Sequence, residues 1–273
     1  MKSKFTPFAL VLVIQLLFSF EAAALYNPAS GEDDIIFITR AQEVKMGRNL
    51  AEGVEERFGL LEDVKLQLKV ERVGQRLAGV ADRRDLAYSF RILAGEELEE
   101  EQRHNAFALP GGYVYIFREM IEDTETEDEL AAILAHEIGH IAARHSVKKL
   151  QSSVGLSGLN LVAALTPSDN STKRKSTVAI SQLMMAYSRE AEFEADKLSV
   201  KYLKEAGYNP KAAVSFMTRM LERQMEGKVR HYHYFRTHPY TTERVAMLNR
   251  EIEGDLAFDD YINTPLGRGE TYW

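Results

Sequence analysis

Thr126-Glu-Asp-Glu-Leu-Ala-Ala-Ile-Leu-Ala-His-Glu-Ile-Gly-His-Ile-Ala-Ala-Arg-His145 is the stretch on which the reading of this chain turns. Leu130, Ile133, Leu134, Ile138 and Ile141 recur at the spacing of one helix face, so the block reads as a helix from about Thr126 to His145. Thr126 with Glu129 has the form of a capping box, and the carboxylates of the first turn suit the positive end of the helix dipole. On such a helix His136 and His140, one turn apart, project from the same face and can bind one metal ion. Zinc takes imidazole nitrogen at about 2.0–2.1 Å and, in catalytic sites, keeps one position for water. Glu137 sits beside the pair, able to take a proton from that water. The short pattern alone is a hypothesis, because two buried histidines bonded to backbone or carboxylate would leave the same trace.

A third protein ligand is needed. A histidine six positions after His140 is one known solution, but Ser146 stands there; His145 comes one residue early and reads as a surface or helix-end histidine. A carboxylate from a separate helix is the other solution. Ser188–Ala206 is the candidate helix, ending at Gly207 with Asn209-Pro210 beyond, and it offers Glu190, Glu192, Glu194 and Asp196. At about 100° per residue, Glu190 and Glu194 share a stripe with Lys197, Lys201 and Lys204, which reads as a solvated, salt-bridged face. Glu192 and Asp196 lie on the other side with Ser199 and Leu203. A carboxylate turned away from the charged stripe is either a liability or a ligand, so Glu192 is the expected third ligand. Asp196, a turn further on, is placed to accept a hydrogen bond from the outer nitrogen of a ligating histidine, with a plain buried salt bridge as the alternative.

Around these helices the sequence predicts a mainly helical α+β chain with a small β-hairpin or sheet beside the motif helix. Helices are expected over 41–58, from Val44, Leu50, Val54 and Phe58, and over 62–81, from Val64, Leu68, Val73 and Leu77. Leu86–Leu93 alternates as a strand. Asn105-Ala-Phe-Ala-Leu-Pro-Gly-Gly112 reads as a strand entering a turn, and Tyr113–Phe117 as its hairpin partner. The apolar piece Leu156–Leu165 is too short to span a bilayer, and the basic run Lys173-Arg174-Lys175 reads as a solvated loop that could cover the site. His104 is expected to be exposed. His231 and His233 read as part of a packed segment rather than a second metal site. Arg244 could steady an anionic intermediate, or pair with Glu243 or a nearby acid.

Composition narrows the chemistry further. The 273 residues include no cysteine, which excludes disulfides, thiolate nucleophiles and cysteine-held metals, so any metal rests on histidine and carboxylate. Net charge is -7, the wrong sign for a broad nucleic-acid footprint. Lys2 and Lys4, the apolar run Phe8–Phe20 and Ala22-Ala23-Ala24 have the three-part form of a secretory signal peptide. The expected division is a signal peptide at 1–24, a zinc-binding domain at 25–253 and a tail at 254–273, with the mature chain in the periplasm or, as the alternative, secreted.

His136–His140, the later Glu192-Phe-Glu-Ala-Asp196, the Asn105–Gly112 strand and turn, and His238-Pro239 with Arg244 resemble gluzincin metallopeptidases related to the CAAX prenyl proteases, in their soluble bacterial periplasmic branch. The resemblance runs from about Ala41 to Glu251. It implies a zincin-like fold and one zinc per chain on His136, His140 and Glu192, with Glu137 as base and Asp196 behind the ligands. It also implies that His238 lies near the metal, as a resting fourth ligand or as a donor to the oxyanion. Substrate would lie extended beside Asn105, Ala106, Phe107 and Ala108, adding itself to the sheet edge. Unfolded or unassembled envelope proteins are the implied substrates. A chaperone-like binder whose zinc is structural or permanently capped is the alternative. Docking through a C-terminal repeat domain, as some relatives have, is not expected.

Overall fold

The computed structural model describes residues 23–153, 180–181, 183–226, 233–239 and 241–253. Strands β1 (Ala23–Tyr26) and β2 (Asp33–Ile36) form an antiparallel hairpin. Helices α1 (Arg40–Phe58) and α2 (Val64–Ala78) follow, then strand β3 (Ser89–Leu93) and the short helix α3 (Glu100–Arg103). Strands β4 (Ala106–Leu109) and β5 (Tyr113–Phe117) lead into α4 (Arg118–Glu122), the motif helix α5 (Glu127–Ala142) and α6 (His145–Ser153). The C-terminal half supplies α7 (Arg189–Ala206), α8 (Lys211–Met225), the short α9 (His233–Thr237) and α10 (Thr241–Glu253). The chain is therefore mainly helical with small sheets, of the expected α+β, zincin-like class. No helix among the described residues is long and apolar enough to cross a membrane.

The predicted hairpin forms. β4 pairs antiparallel with β5 across Pro110-Gly111-Gly112, where both glycines take positive φ, 80° and 101°. β3 joins the other side of β5 in parallel, giving the order β3-β5-β4 and leaving β4 at the edge. The amide of Phe117 donates to the Asn105 carbonyl, which makes 105/117, 107/115 and 109/113 the hydrogen-bonded pairs of the ladder. Ala106 and Ala108 therefore aim their backbone groups away from the sheet.

Two helix readings are corrected. Leu66, Val70, Val73 and Leu77 form the packed stripe of α2, whereas Val64 and Leu68 sit on the opposite side, 76% and 65% exposed. Four apolar residues at helical intervals had mixed two faces. In α1, Val44 is also partly exposed while Met46, Leu50, Val54 and Phe58 are buried. The capping box forms only in half: Thr126 Oγ1 accepts from the Glu129 amide, but the Glu129 carboxylate turns to the Glu125 amide and to a bidentate pair with Arg219.

α5 and α7 cross closely because Gly139 lies at their contact. A Cβ at that position would stand 2.7 Å from the Ala195 carbonyl oxygen, a backbone atom that cannot give way cheaply. The glycine of the His-Glu-Ile-Gly-His run is thus a packing requirement that brings α5 and α7 together. Gly139→Ala should cost about 1–3 kcal/mol through overpacking. In a thermal melt this is expected as a fall of several degrees, and an unchanged midpoint would contradict the close crossing.

Candidate metal centre

His136, Glu137 and His140 come from α5, Glu192 and Asp196 from α7, His238 from the turn after α9, and Arg244 from α10. All seven are buried. One ligating atom from each of His136, His140, Glu192 and His238 lies within 4.8 Å of the others. His136 Nε2 is 3.0 Å from His140 Nε2 and 3.2 Å from His238 Nδ1, which in turn is 3.1 Å from Glu192 Oε1.

The chemistry of this donor set fits a cation. The outer nitrogen of His136, Nδ1, lies 2.9 Å from Asp196 Oδ1, and a carboxylate only accepts, so Nδ1 carries the proton. A neutral His136 then turns a lone pair into the cluster, and so does His140 if its proton lies on the outer side. Lone pairs facing each other across about 3 Å in a buried, carboxylate-flanked space call for a positive charge between them. Protonation of His136 would supply a charge of that kind. Burial and Arg244 oppose it, yet hydrogen bonds to Asp196 and Glu192 lift the His136 pKa to about 9. Burial and the neighbouring His136 hold His140 far below the usual imidazole range. Glu192 resists the upward push of burial through His238 and Arg244 and stays well below the carboxylate range.

Arg244 is the hub behind the donor set. Its Nε and Nη2 grip both oxygens of Asp196 at 2.8 and 2.7 Å, and Nη1 lies 2.9 Å from Glu192 Oε2 and 3.2 Å from the His238 carbonyl. Of the sequence alternatives, pairing with nearby acids is the arrangement present. Those acids are Asp196 and Glu192, while Glu243 faces Arg189 instead. This geometry makes Arg244 a positioning residue. Asp196 joins His136 to Arg244, combining its two expected roles.

Glu137 is buried, which raises its pKa, and neither carboxylate oxygen has a hydrogen-bond partner among the described residues. His238 Nε2 stands 3.5 Å from Glu137 Oε1. A buried carboxylate without a donor is expensive unless a reacting molecule is meant to meet it.

The proposed substrate strand reaches the same place. Ala106, Phe107 and Ala108 are buried, and Asn105 Oδ1 accepts from Thr237 Oγ1, next to His238. The outward carbonyl of Ala108 accepts from Ser146 Oγ at 3.0 Å, and Ser146 meets Tyr187 Oη at 3.0 Å. The Tyr187 ring stacks on His140 with centroids 4.1 Å apart.

Sequence reasoning misplaced three residues. His145 is buried, its Nδ1 2.8 Å from His140 Nδ1, rather than a surface histidine. Glu194 leaves the solvated stripe to meet His145 Nε2 at 2.9 Å and accept from Asn27 Nδ2 at 3.0 Å. Against partial burial, these two bonds draw its pKa down to about 2. His104 is mostly buried and pairs with Asp123. His233 lies in α9 outside the donor set, and His231, like the 154–179 segment and residues 1–22, falls outside the described residues.

A helical zincin-like domain with a buried His-His-Glu-His cluster is the architecture of a metallopeptidase. The sequence pattern of peptidase family M48 matches residues 65–252, and the chain belongs to that family. It is 26% identical over 250 residues to the β-barrel assembly-enhancing protease of Escherichia coli, covering 88% of this chain and 50% of that protein. It is 33% identical over 183 residues to the mitochondrial metalloendopeptidase OMA1 of Schizosaccharomyces pombe, covering 66% of this chain and 51% of that one. The chain thus spans about half the length of these curated relatives.

Proposed function

We propose that this chain is an exported zinc-dependent metalloendopeptidase that cleaves unfolded or misassembled envelope proteins in the periplasm. The observation that carries the reading is the buried group His136, His140, Glu192 and His238 beside a Glu137 whose oxygens lack hydrogen bonds. His136, His140 and Glu192 would hold one zinc. When bound, zinc polarises the scissile carbonyl and lowers the pKa of water towards about 7. Glu137 takes the proton of the attacking water and passes it to the leaving amine. Asp196 and Arg244 fix His136 and Glu192 in place. The outward backbone groups of Ala106 and Ala108 supply the edge on which an extended substrate pairs. The periplasmic substrate class rests on the signal-like N-terminus and on kinship with a β-barrel assembly-enhancing protease.

Three observations favour a latent resting state over a freely open one. His238 sits inside the donor set, the cluster is buried, and Ser146 with Tyr187 occupies the Ala108 carbonyl that a substrate would use. The test is cleavage of unfolded casein by purified mature protein, with and without chelator, followed by N-terminal sequencing of the products. In the same assay His238→Ala should raise basal cleavage and slightly weaken zinc retention. A drop of roughly 10²–10³-fold with zinc unchanged would assign His238 to the oxyanion instead. A wild type that suppresses aggregation of unfolded protein yet never cuts it would favour the chaperone-like alternative.

A further inference from the structure

His140 has an outer partner of a different kind from that of His136. Its Nε2 faces the donor set, 3.0 Å from His136 Nε2 and 3.6 Å from Glu192 Oε1. Its Nδ1 points away and meets Nδ1 of His145 at 2.8 Å. The other nitrogen of His145 lies 2.9 Å from Glu194 Oε2, an oxygen that also accepts from Asn27 Nδ2. Lys148 Nζ stands 3.9 Å from the same oxygen.

The direction of each bond follows from the inventory of donors. The Glu194 carboxylate accepts only, so His145 Nε2 carries its hydrogen towards Glu194. The Nδ1 of a neutral His145 is then an acceptor, and the hydrogen between the two Nδ1 atoms belongs to His140. That leaves His140 Nε2 bare and aimed at the donor set.

The backbone explains how His145 arrives there. On a continuing helix it would lie about 140° around from His140. Instead α5 ends at Ala142, and Arg144 takes φ 55°, alone among the described non-glycine residues in having positive φ. This left-handed step is unfavourable for a residue with a side chain and persists only where surrounding contacts enforce it. Here the Arg144 guanidinium donates to the Tyr26 carbonyl at 3.0 Å, and α6 starts afresh with His145 turned back under His140.

We propose that His145 and Glu194 are positioning residues that fix the tautomer and aim of His140 as a metal ligand, and that Asn27 ties this relay to the N-terminal hairpin. The proposal rests on the reading of His140 as a ligand. His136 reaches a carboxylate directly and that carboxylate is clamped by Arg244, whereas His140 reaches one through a second imidazole. Asn27 is buried in the β1–β2 connection, whose Ala29 carbonyl also accepts from Lys197 of α7. The hairpin at the start of the described chain is therefore part of the support of the donor set.

The test is zinc affinity by chelator competition, with imidazole nitrogen shifts of His140 read by NMR on the same proteins. His145→Phe keeps an aromatic ring at the position and removes the acceptor. It should weaken zinc about 10–100-fold, the usual effect of losing an outer partner of a ligating histidine. The Nδ1–H signature of His140 should be lost with it. His145→Asn places an acceptor oxygen near the lost Nδ1 and should restore affinity to within about threefold of wild type, a rescue that mere packing would not give. Glu194→Ala, at a partly exposed site compatible with folding, should weaken zinc several-fold. Wild-type affinity in both His145→Phe and Glu194→Ala would overturn the proposal alone, as would equal losses in His145→Asn and His145→Phe. A wild type that binds zinc no better than His140→Ala would instead bring down the metal reading, and the proposal with it.

Discussion

Glu137→Gln is expected to keep both the fold and the zinc while losing roughly 10²–10⁴-fold in cleavage rate, the usual contribution of a positioned acid–base group. Glutamine matches glutamate in shape, so the packing around this fully buried side chain survives. It removes the one property the reaction needs there, the ability to take a proton. In the structure Glu137 is surplus to stability: its oxygens accept no hydrogen bond among the described residues and burial raises its pKa. An uncharged amide should therefore leave the thermal midpoint unchanged or raise it. Loss of activity joined to unimpaired stability is the signature that separates a catalytic carboxylate from a structural one. Cleavage by the variant at the wild-type rate would remove Glu137 from the mechanism.

Glu192→Ala should strip most of the zinc from the purified protein, whereas Glu194→Ala, only two residues away, should retain most of it. Both carboxylates lie on α7, but Glu192 is buried within 3.1–3.6 Å of nitrogens of His238, His136 and His140. Among the described residues, Glu194 touches the centre only through His145. Removing Glu192 also leaves the guanidinium Nη1 of Arg244 without its carboxylate at 2.9 Å, a buried charge partly uncompensated. Metal analysis of the dialysed proteins makes the comparison. If Glu194→Ala loses the metal and Glu192→Ala holds it, the roles of the two faces are reversed.

Much of this was legible because periodicity and chemistry agreed. The two histidines one turn apart on a capped apolar helix, and the carboxylate on the unsolvated side of a second helix, identify three side chains that the fold brings into one buried cluster with His238. The hairpin was readable from Pro110-Gly111-Gly112, since only glycine takes the positive φ values found there without strain. What escaped depended on contacts outside the local element. His145 reads as a surface or helix-end histidine when the helix is carried through Arg144, where a left-handed residue reverses the count. Glu194 was placed among lysines by its own helix face, but its partners lie on α6 and in the β1–β2 connection. Val64 and Leu68 obey helical spacing yet face away from the core, because spacing fixes a stripe and not the side on which the rest of the protein lies.

The central claim is that a single zinc held by α5 and α7 makes this chain a peptidase. The most direct measurement is cleavage of unfolded casein by chelator-stripped protein as zinc is returned in substoichiometric steps, on the His238→Ala background if the wild type is silent. Activity should be absent at the start, rise in proportion to zinc and level off near one equivalent per chain, as a single three-ligand site requires. Cleavage that survives stripping, or none at any zinc occupancy in either protein, would contradict the account.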